Sequence, residues 1–279
     1  MNYHDNIWIS QKMKEHLQEA KETLKDRPIV VLACQGSQNY GLDYEDSDFD
    51  TKCITVPTFK EIALNKKALS TTHIRENNEH IDLKDIRLYI QTFRKQNLNF
   101  LEILFTPYYV CPMNNFTNFY NEWGKLIDNR EKIAHMNPLR GFASMKGIAA
   151  EKYHALEHHY PSRMEWINKY GYDGKQLHHL LRIYEFMQRF YSGESYAECL
   201  ISKQPELLIE VKKNTYYSLD KARTIAKNTM NSIDELYNKA KKSFKNIQEN
   251  QETVELLENT AYNIMKKAIQ FELELFWPK

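Results

Sequence analysis

The sequence predicts an α+β fold, in which a small mixed sheet with flanking helices is followed by a helical region. Short apolar runs rich in β-branched residues occur within the first 112 residues. The rest of the chain shows helical periodicity with few strand signals. The chain has 279 residues, of which 42% are hydrophobic and 27% charged, so it can bury a substantial core.

The first region contains the predicted strands. Apolar, β-branched runs predict three of them, at 29–34, 49–56 and 80–83. Helical spacing predicts helices or helical turns at 4–26, 58–64 and 84–105. Pro28 ends the first helix and Pro107 follows the last one. The polar segment 65–80 predicts a mobile loop.

The region after Pro112 is predicted to be helical throughout. Helical patterns cover 115–135, 138–160, 173–193, 203–213, 218–247 and 251–276. Single Gly or Pro residues between most of these segments fit short helix-to-helix connections. We therefore expect two domains, the first at 1–112 and the second at 113–279.

Composition and charge exclude several classes of protein. Because 38 Lys and Arg residues balance 37 Asp and Glu residues, any contact with nucleic acid must come from a local patch. No apolar run approaches the ~20 residues of a membrane span, and the N-terminal segment lacks the apolar core of a signal peptide. We expect a cytoplasmic protein with no membrane partner. Four widely spaced cysteines without a CxxC pair argue against a zinc cluster or a disulfide scaffold.

Between the first two predicted strands lies the segment with the strongest chemical signal. Gly36 and Ser37 follow the first strand, where backbone N–H groups and a hydroxyl can form a nest for phosphate. Asp48 and Asp50 are two residues apart at a strand start, so both carboxylates point to one face. Mg²⁺ prefers oxygen ligands together with substrate phosphates. The segment therefore predicts a site for Mg²⁺ and a polyphosphate.

A site for two metal ions needs a third carboxylate. Asp82, in the third predicted strand, is the best-placed candidate. The alternative interpretation is that DYEDSD is an ordinary solvent-exposed turn, since Asp-rich turns and Gly-Ser pairs are common. The ordered combination between two apolar strands is more specific than either element alone.

The segment GSQNYGLDYEDSDFD resembles the signature of the DNA polymerase β superfamily of nucleotidyltransferases. Within it, the chain is similar to the RNA-ligase-associated polymerase-β-like branch, whose GSxxYG and SDxD pattern is matched by Gly36, Ser37, Tyr40, Gly41, Ser47, Asp48 and Asp50. The branch has a later strand and helix ending in N-x-x-x-LE-x-L, matched within 80–105. The resemblance assigns the third carboxylate to Asp82, with Asp85 as the alternative.

The branch also carries a Lys-x-x-x-His-x-x-Arg helix, matched here by Lys175, His179 and Arg182. Positions i, i+4 and i+7 share one helix face, and such a cationic stripe suits a triphosphate or an RNA backbone. The alternative is that these residues are solvated charges beside a leucine-rich core. A phrase at 207–222 is similar as well, although Asn214 stands where glycine is expected.

The resemblance implies an enzyme that transfers a nucleoside monophosphate from an NTP to an acceptor hydroxyl and releases pyrophosphate. Asp48, Asp50 and Asp82 would be catalytic and hold Mg²⁺, with Mn²⁺ as the alternative metal. The implied nucleotide-binding residues are Gly36, Ser37, Tyr40, Lys175, His179 and Arg182.

The acceptor implied by the branch is RNA. A protein acceptor, as for an AMP-adding toxin or regulator, is the first alternative. A non-catalytic nucleotide-binding module is the second, and the intact Asp48 and Asp50 pair argues against it.

Overall fold

A mixed sheet forms the core of the first region. The computed structural model describes residues 3–113, 118–214 and 216–276. In this part of the chain the strands are β1 (Ile29–Gln35), β2 (Asp50–Thr55), β3 (Ser70–Ile74), β4 (His80–Asp85) and β5 (Tyr109–Val110). They lie in the order β3-β4-β2-β1-β5, with β2 parallel to β4 and the other neighbours antiparallel.

Helix α1 (Asn6–Leu24) covers one face of the sheet. The Asp5 carboxylate caps this helix by accepting a hydrogen bond from the backbone N–H of Trp8. Ile9 of the helix belongs to the same buried cluster as Leu32 of β1 and Cys53 of β2. Because strand side chains alternate between faces, the neighbours of these strand residues point to the opposite face.

The opposite face carries both apolar and charged side chains. Helices α2 (Phe59–Ala63), α3 (Ile86–Arg94) and α4 (Leu98–Leu101) follow β2 and β4 along the chain. Phe93 of α3 belongs to the same buried cluster as Ile54 of β2. Asp50 and Lys52 precede Ile54 by four and two residues, so they share this face with it.

The second region is helical, and the α+β fold class is confirmed. Its described helices are α5 (Tyr120–Asp128), α6 (Arg130–Ala134), α7 (Pro138–Ala155), α8 (Met164–Tyr170), α9 (Gly174–Tyr191), α10 (Tyr196–Leu200), α11 (Pro205–Lys212), α12 (Leu219–Ser243) and α13 (Gln251–Phe276). α9 packs against α7, α10, α11 and α12. None of the helices described by the structure is long and apolar enough to cross a membrane.

One buried apolar cluster extends through both regions. It joins Val31 of β1 and Phe93 of α3 to Leu177 of α9 and Ile264 of α13. Helix α13 returns to pack against α3 and α5. The predicted domain boundary at residue 112 therefore lies within a continuous core, and the boundary itself stays a prediction.

Several elements differ from the prediction. The segment 65–80, predicted as a loop, contains the edge strand β3, which buries few side chains and so lacks an apolar pattern. The predicted helix 84–105 is interrupted at Gln96, whose φ is 54°, and Asn97 caps α4 after it. The short elements β5, α8 and α10 were not predicted. The first residues of the predicted helix 115–135, at 115–117, lie outside the described residues.

Candidate active site

A cleft of about 520 Å³ lies between the charged face of the sheet and helix α9. Most of the residues singled out by the sequence line this cleft, namely Gly36, Ser37, Tyr40, Asp48, Asp50, Lys175, His179 and Arg182. Six of the lining residues are Lys or Arg and four are Asp or Glu. The cleft therefore combines carboxylates suited to a cation with cations suited to an anion.

The turn after β1 is held in one conformation. Gly36 has a φ of 94°, which favours glycine, and a 3₁₀ turn follows at Ser37–Asn39. The Asn39 side-chain amide donates a hydrogen bond to the carbonyl oxygen of Cys34 (2.8 Å). The Thr106 hydroxyl donates to the Asn39 side-chain oxygen (2.6 Å). These contacts fix the backbone N–H groups and the Ser37 hydroxyl at the edge of the cleft.

Asp48 and Asp50 stand at the start of β2, beside this turn. The Asp48 carboxylate is 3.2 Å from the Lys175 ammonium of α9. The Asp50 carboxylate accepts a hydrogen bond from the backbone N–H of His80 (2.8 Å). Burial raises the pKa of Asp50, and the nearby negative charge of Asp48 adds to this shift. A bound divalent cation would offset both effects, so the two carboxylates fit Mg²⁺.

Asp82 lies beside the cleft, outside its lining. It is opposite Lys52 in the parallel β2–β4 pairing and therefore shares the face of Asp50. Its carboxylate accepts hydrogen bonds from the Lys52 ammonium (3.0 Å) and from the Thr72 hydroxyl (2.6 Å). Burial alone would raise the pKa of Asp82, but Lys52 and Thr72 outweigh it and the pKa lies below its usual value.

The structure does not gather the three predicted carboxylates into one cluster. Within the described residues there is no group of three or more His, Cys, Asp or Glu side chains arranged to hold a metal ion. Asp48 and Asp50 form a pair, whereas the Asp82 carboxylate forms an ion pair with Lys52. The role of Asp82 as a metal ligand stays a prediction.

Asp85, the alternative third carboxylate, is held by contacts that stabilise the fold. It is buried, it caps α3 through the backbone N–H of Arg87, and it lies near the guanidinium groups of Arg87 and Arg27. Strand alternation places it on the opposite face from Asp82. These contacts account for Asp85 without a role in the cleft.

Arg182 is the most distinctive cation of the cleft. Its side chain is only 7% exposed, and its guanidinium lies 3.5 Å from the centre of the Tyr40 ring. Its Nε and Nη2 atoms are buried without a hydrogen-bond partner in the described protein. A buried cation with unused donors is costly unless a ligand completes it. The unpartnered Nε and Nη2 donors of Arg182 therefore suit an anion bound in the cleft.

Glu102 was not predicted as a site residue, although it belongs to the LE phrase that carries the resemblance. Its side chain is buried and accepts a hydrogen bond from the backbone N–H of Gly36. Burial raises the pKa of Glu102 to about 8, while the charge of Arg182 acts in the opposite direction. Glu102 thus connects the glycine turn with the buried arginine.

Lys212 was not predicted as a site residue either, although it lies in the phrase at 207–222 that is similar to the branch. It is the last residue of α11 and is buried, with its ammonium 3.2 Å from the Ser47 hydroxyl and 4.7 Å from the centre of the Tyr44 ring. Burial, together with the charge of Lys175, lowers the pKa of Lys212 to about 8. A polyanion in the cleft would favour its charged form.

The two histidines of α9 are neutral. His178 is buried, its Nδ1 lies 2.8 Å from the carbonyl oxygen of Leu208, and burial lowers its pKa to about 3. Burial and the neighbouring His178 also lower the pKa of His179. The predicted stripe therefore faces the cleft with two cations, Lys175 and Arg182, and one neutral imidazole.

The backbone and side-chain contacts of Asn214 explain why asparagine stands at this position instead of the expected glycine. Its φ is 59°, in the left-handed region that glycine and, less readily, asparagine adopt. Its side chain accepts a hydrogen bond from Gly174 N–H (2.8 Å) and donates one to the carbonyl oxygen of Tyr172 (2.9 Å). Asparagine therefore serves the same backbone conformation and also fixes the start of α9.

A sequence model of the RNA repair pathway DNA polymerase beta family matches residues 9–183. The chain belongs to this family. A search among curated proteins finds no match. The match confirms the resemblance to polymerase-β-like proteins and indicates an RNA repair context with nucleotidyltransferase-like activity.

The matched range of the RNA repair pathway DNA polymerase beta family includes most of the cleft. It contains the glycine turn, Asp48, Asp50, Glu102 and the cationic face of α9. It ends just after Arg182, so α10 to α13 and Lys212 lie beyond it. The packing of α11 against α9 brings Lys212 to the cleft.

Proposed function

We propose that this protein is a metal-dependent nucleotidyltransferase that moves a nucleoside monophosphate from an NTP to a hydroxyl of an RNA acceptor. The observation that carries the proposal is the position of Arg182. A buried guanidinium with two unpartnered donors lines the same cleft as the glycine turn and the Asp48–Asp50 pair. A triphosphate with its cation satisfies all three groups together.

Six residues of the cleft would hold the NTP and its cation. The backbone at Gly36 and the Ser37 hydroxyl would donate hydrogen bonds to the terminal phosphates. Arg182 and Lys175 would neutralise negative charge on the triphosphate and on the leaving pyrophosphate. Mg²⁺ held by Asp48 and Asp50 would supply further neutralisation of the phosphates. Lys175 would exchange its contact with Asp48 for a phosphate.

Transfer requires the acceptor hydroxyl to attack the α-phosphate. The bond from the acceptor oxygen to the α-phosphorus would form, the bond from this phosphorus to the pyrophosphate would break, and the hydroxyl proton would be released to solvent water. Because its pKa lies below the usual value, Asp82 is ionised at neutral pH. From the sheet face beside the cleft, it would accept a hydrogen bond from the acceptor hydroxyl and orient it.

The experiment that tests the proposal is NTP binding by Arg182 variants. Arg182→Ala should weaken binding of Mg·NTP by about tenfold or more, because a charge-assisted hydrogen bond contributes about 1.5–3 kcal/mol. Arg182→Lys should restore only part of the affinity, since lysine lacks the planar donor pair. Lys227→Ala, at an exposed position of α12, is the control. Equal affinity of Arg182→Ala and the wild type for every NTP would contradict the proposal.

A further inference from the structure

A strip of the sheet beside the cleft is open to solvent. Ser70 and Thr72 of the edge strand β3 are exposed, and they pair with Lys84 and Asp82 of β4, which are half-buried. Because paired residues share a face, all four side chains lie on the face that also carries Asp50. We call these four residues the open strip. It extends from the side of the cleft to the edge of the sheet.

The open strip carries one carboxylate, Asp82, which is paired with Lys52 of β2, and one lysine, Lys84. The ammonium groups of Lys84 and Lys52 lie 4.0 Å and 4.5 Å from the centre of the same ring, that of Phe100. Lys52 is paired with Asp82. Lys84 makes no ion pair with any residue that the structure describes. Because Lys52 and Lys84 lie against the same ring, their like charges repel each other, and an anion beside Lys84 would offset that repulsion.

The spacing of the strip matches a polynucleotide end. Asp82 and Lys84 are two residues apart on β4, which places them about 6–7 Å apart along the strand. That separation is comparable to the distance within one nucleotide between its terminal hydroxyl and its own phosphate. A hydroxyl at Asp82 would lie beside the cleft, and the attached phosphate would reach Lys84.

We propose that the open strip binds the end of a single-stranded polynucleotide acceptor, with the terminal hydroxyl at Asp82 and the terminal nucleotide's phosphate on Lys84. This inference rests on the proposed function and names the site of its acceptor. An open edge admits a strand that continues away from the cleft. A serine or tyrosine hydroxyl of a protein acceptor brings no phosphate at this spacing and would leave Lys84 without its partner.

Direct binding of an RNA strand tests the proposal without requiring catalysis. A fluorescein-labelled single-stranded oligoribonucleotide with a free 3′ hydroxyl is titrated with protein, and anisotropy is measured at several salt concentrations. Lys84→Ala should weaken binding at least fivefold and reduce the slope of log affinity against log salt by about 0.7, the value for one phosphate contact on a single strand. Lys84→Arg should restore both quantities.

The matched control is Lys67→Ala, an exposed lysine in the segment before β3. It should leave oligoribonucleotide binding and its salt slope unchanged. Mg·NTP binding should be the same in all three variants, because Lys84 lies outside the cleft lining. A thermal melt of each variant checks that the fold is retained, and Lys84→Gln, which removes the charge but keeps most of the side chain, replaces Lys84→Ala if that variant unfolds.

Two results would overturn the proposal. One is equal RNA affinity and salt slope for Lys84→Ala and Lys67→Ala. The other is a wild-type protein that transfers a nucleotide to protein acceptors and does not bind the oligoribonucleotide. Loss of the proposed function gives a different result, namely failure of the wild type to bind Mg·NTP, and RNA binding still decides the role of Lys84 in that case.

Discussion

Replacing Glu102 by glutamine tests the electrostatics at the base of the cleft. The substitution keeps the size of the side chain and an oxygen that can accept the hydrogen bond from Gly36 N–H, but it removes the ionisable group. In the folded protein the pKa of Glu102 is raised by burial to about 8 from an ordinary value of 4.5. The folded state therefore binds a proton more tightly than the unfolded state does.

The sign and size of the effect follow from that difference in pKa. A carboxyl with a raised pKa in the folded state contributes stability that is fully present below about pH 4.5 and is lost as pH rises to about 8. Each pKa unit corresponds to about 1.4 kcal/mol, so the wild type should lose about 3 kcal/mol between pH 4.5 and pH 7 from this group alone. Glu102→Gln should lose none of it.

Urea unfolding of both proteins at pH 5, 7 and 8.5 measures the prediction. The free energy of unfolding of Glu102→Gln minus that of the wild type should increase with pH, by about 3–5 kcal/mol over the whole range. Glu255→Gln, at an exposed position of α13, is the control and should show a difference that does not change with pH. A flat difference for Glu102→Gln, or one that decreases as pH rises, would refute the raised pKa and the burial that causes it.

Three further predictions concern the cleft and the start of α9. Mg²⁺ and NTP together should raise the melting temperature more than either alone, and no shift with any of the four NTPs at millimolar concentration would contradict the site. The pKa of Lys212 is about 8, so NTP affinity should fall as pH rises through this value and Lys212 loses its proton. The measurement uses the Glu102→Gln background, because the pKa of Glu102 is also about 8. Lys212→Arg should remove this pH dependence, and an unchanged dependence would exclude Lys212 as its source. Gly174→Ala should cost about 1–3 kcal/mol of unfolding free energy, because its Cβ would lie 2.3 Å from the carbonyl oxygen of Val211. Gly147→Ala is the control: a Cβ at Gly147 meets open space, so this substitution should stabilise α7 by up to about 1 kcal/mol. Equal effects of the two substitutions on the free energy of unfolding would show that the clash at Gly174 is absent.

The parts of the cleft that sequence could predict are local in the chain. Gly36, Ser37, Asp48 and Asp50 lie within one strand–turn–strand segment, so spacing alone places them together. The face shared by Lys175 and Arg182 follows from helical periodicity. The structure places both groups around one cleft.

The parts that sequence could not predict depend on tertiary packing. Glu102 reaches the glycine turn, and Lys212 reaches Ser47, only through the way distant segments pack. Strand β3 is polar because it forms an edge with exposed side chains, so its sequence resembles that of a loop. The ion pair between Lys52 and Asp82 likewise depends on the register of two parallel strands.

Transfer of the α-phosphate tests the central claim most directly. The wild type is incubated with Mg²⁺ and single-stranded RNA, and with each NTP labelled either at the α-phosphate or at the γ-phosphate. The account predicts that the α label joins the RNA and that the γ label leaves as pyrophosphate. Asp48→Asn and Asp50→Asn should each abolish transfer. Each variant should keep the melting temperature of the wild type or raise it slightly, because two neighbouring carboxylates repel each other. Transfer of the γ label to the RNA, or undiminished transfer of the α label by the double variant, would contradict the account.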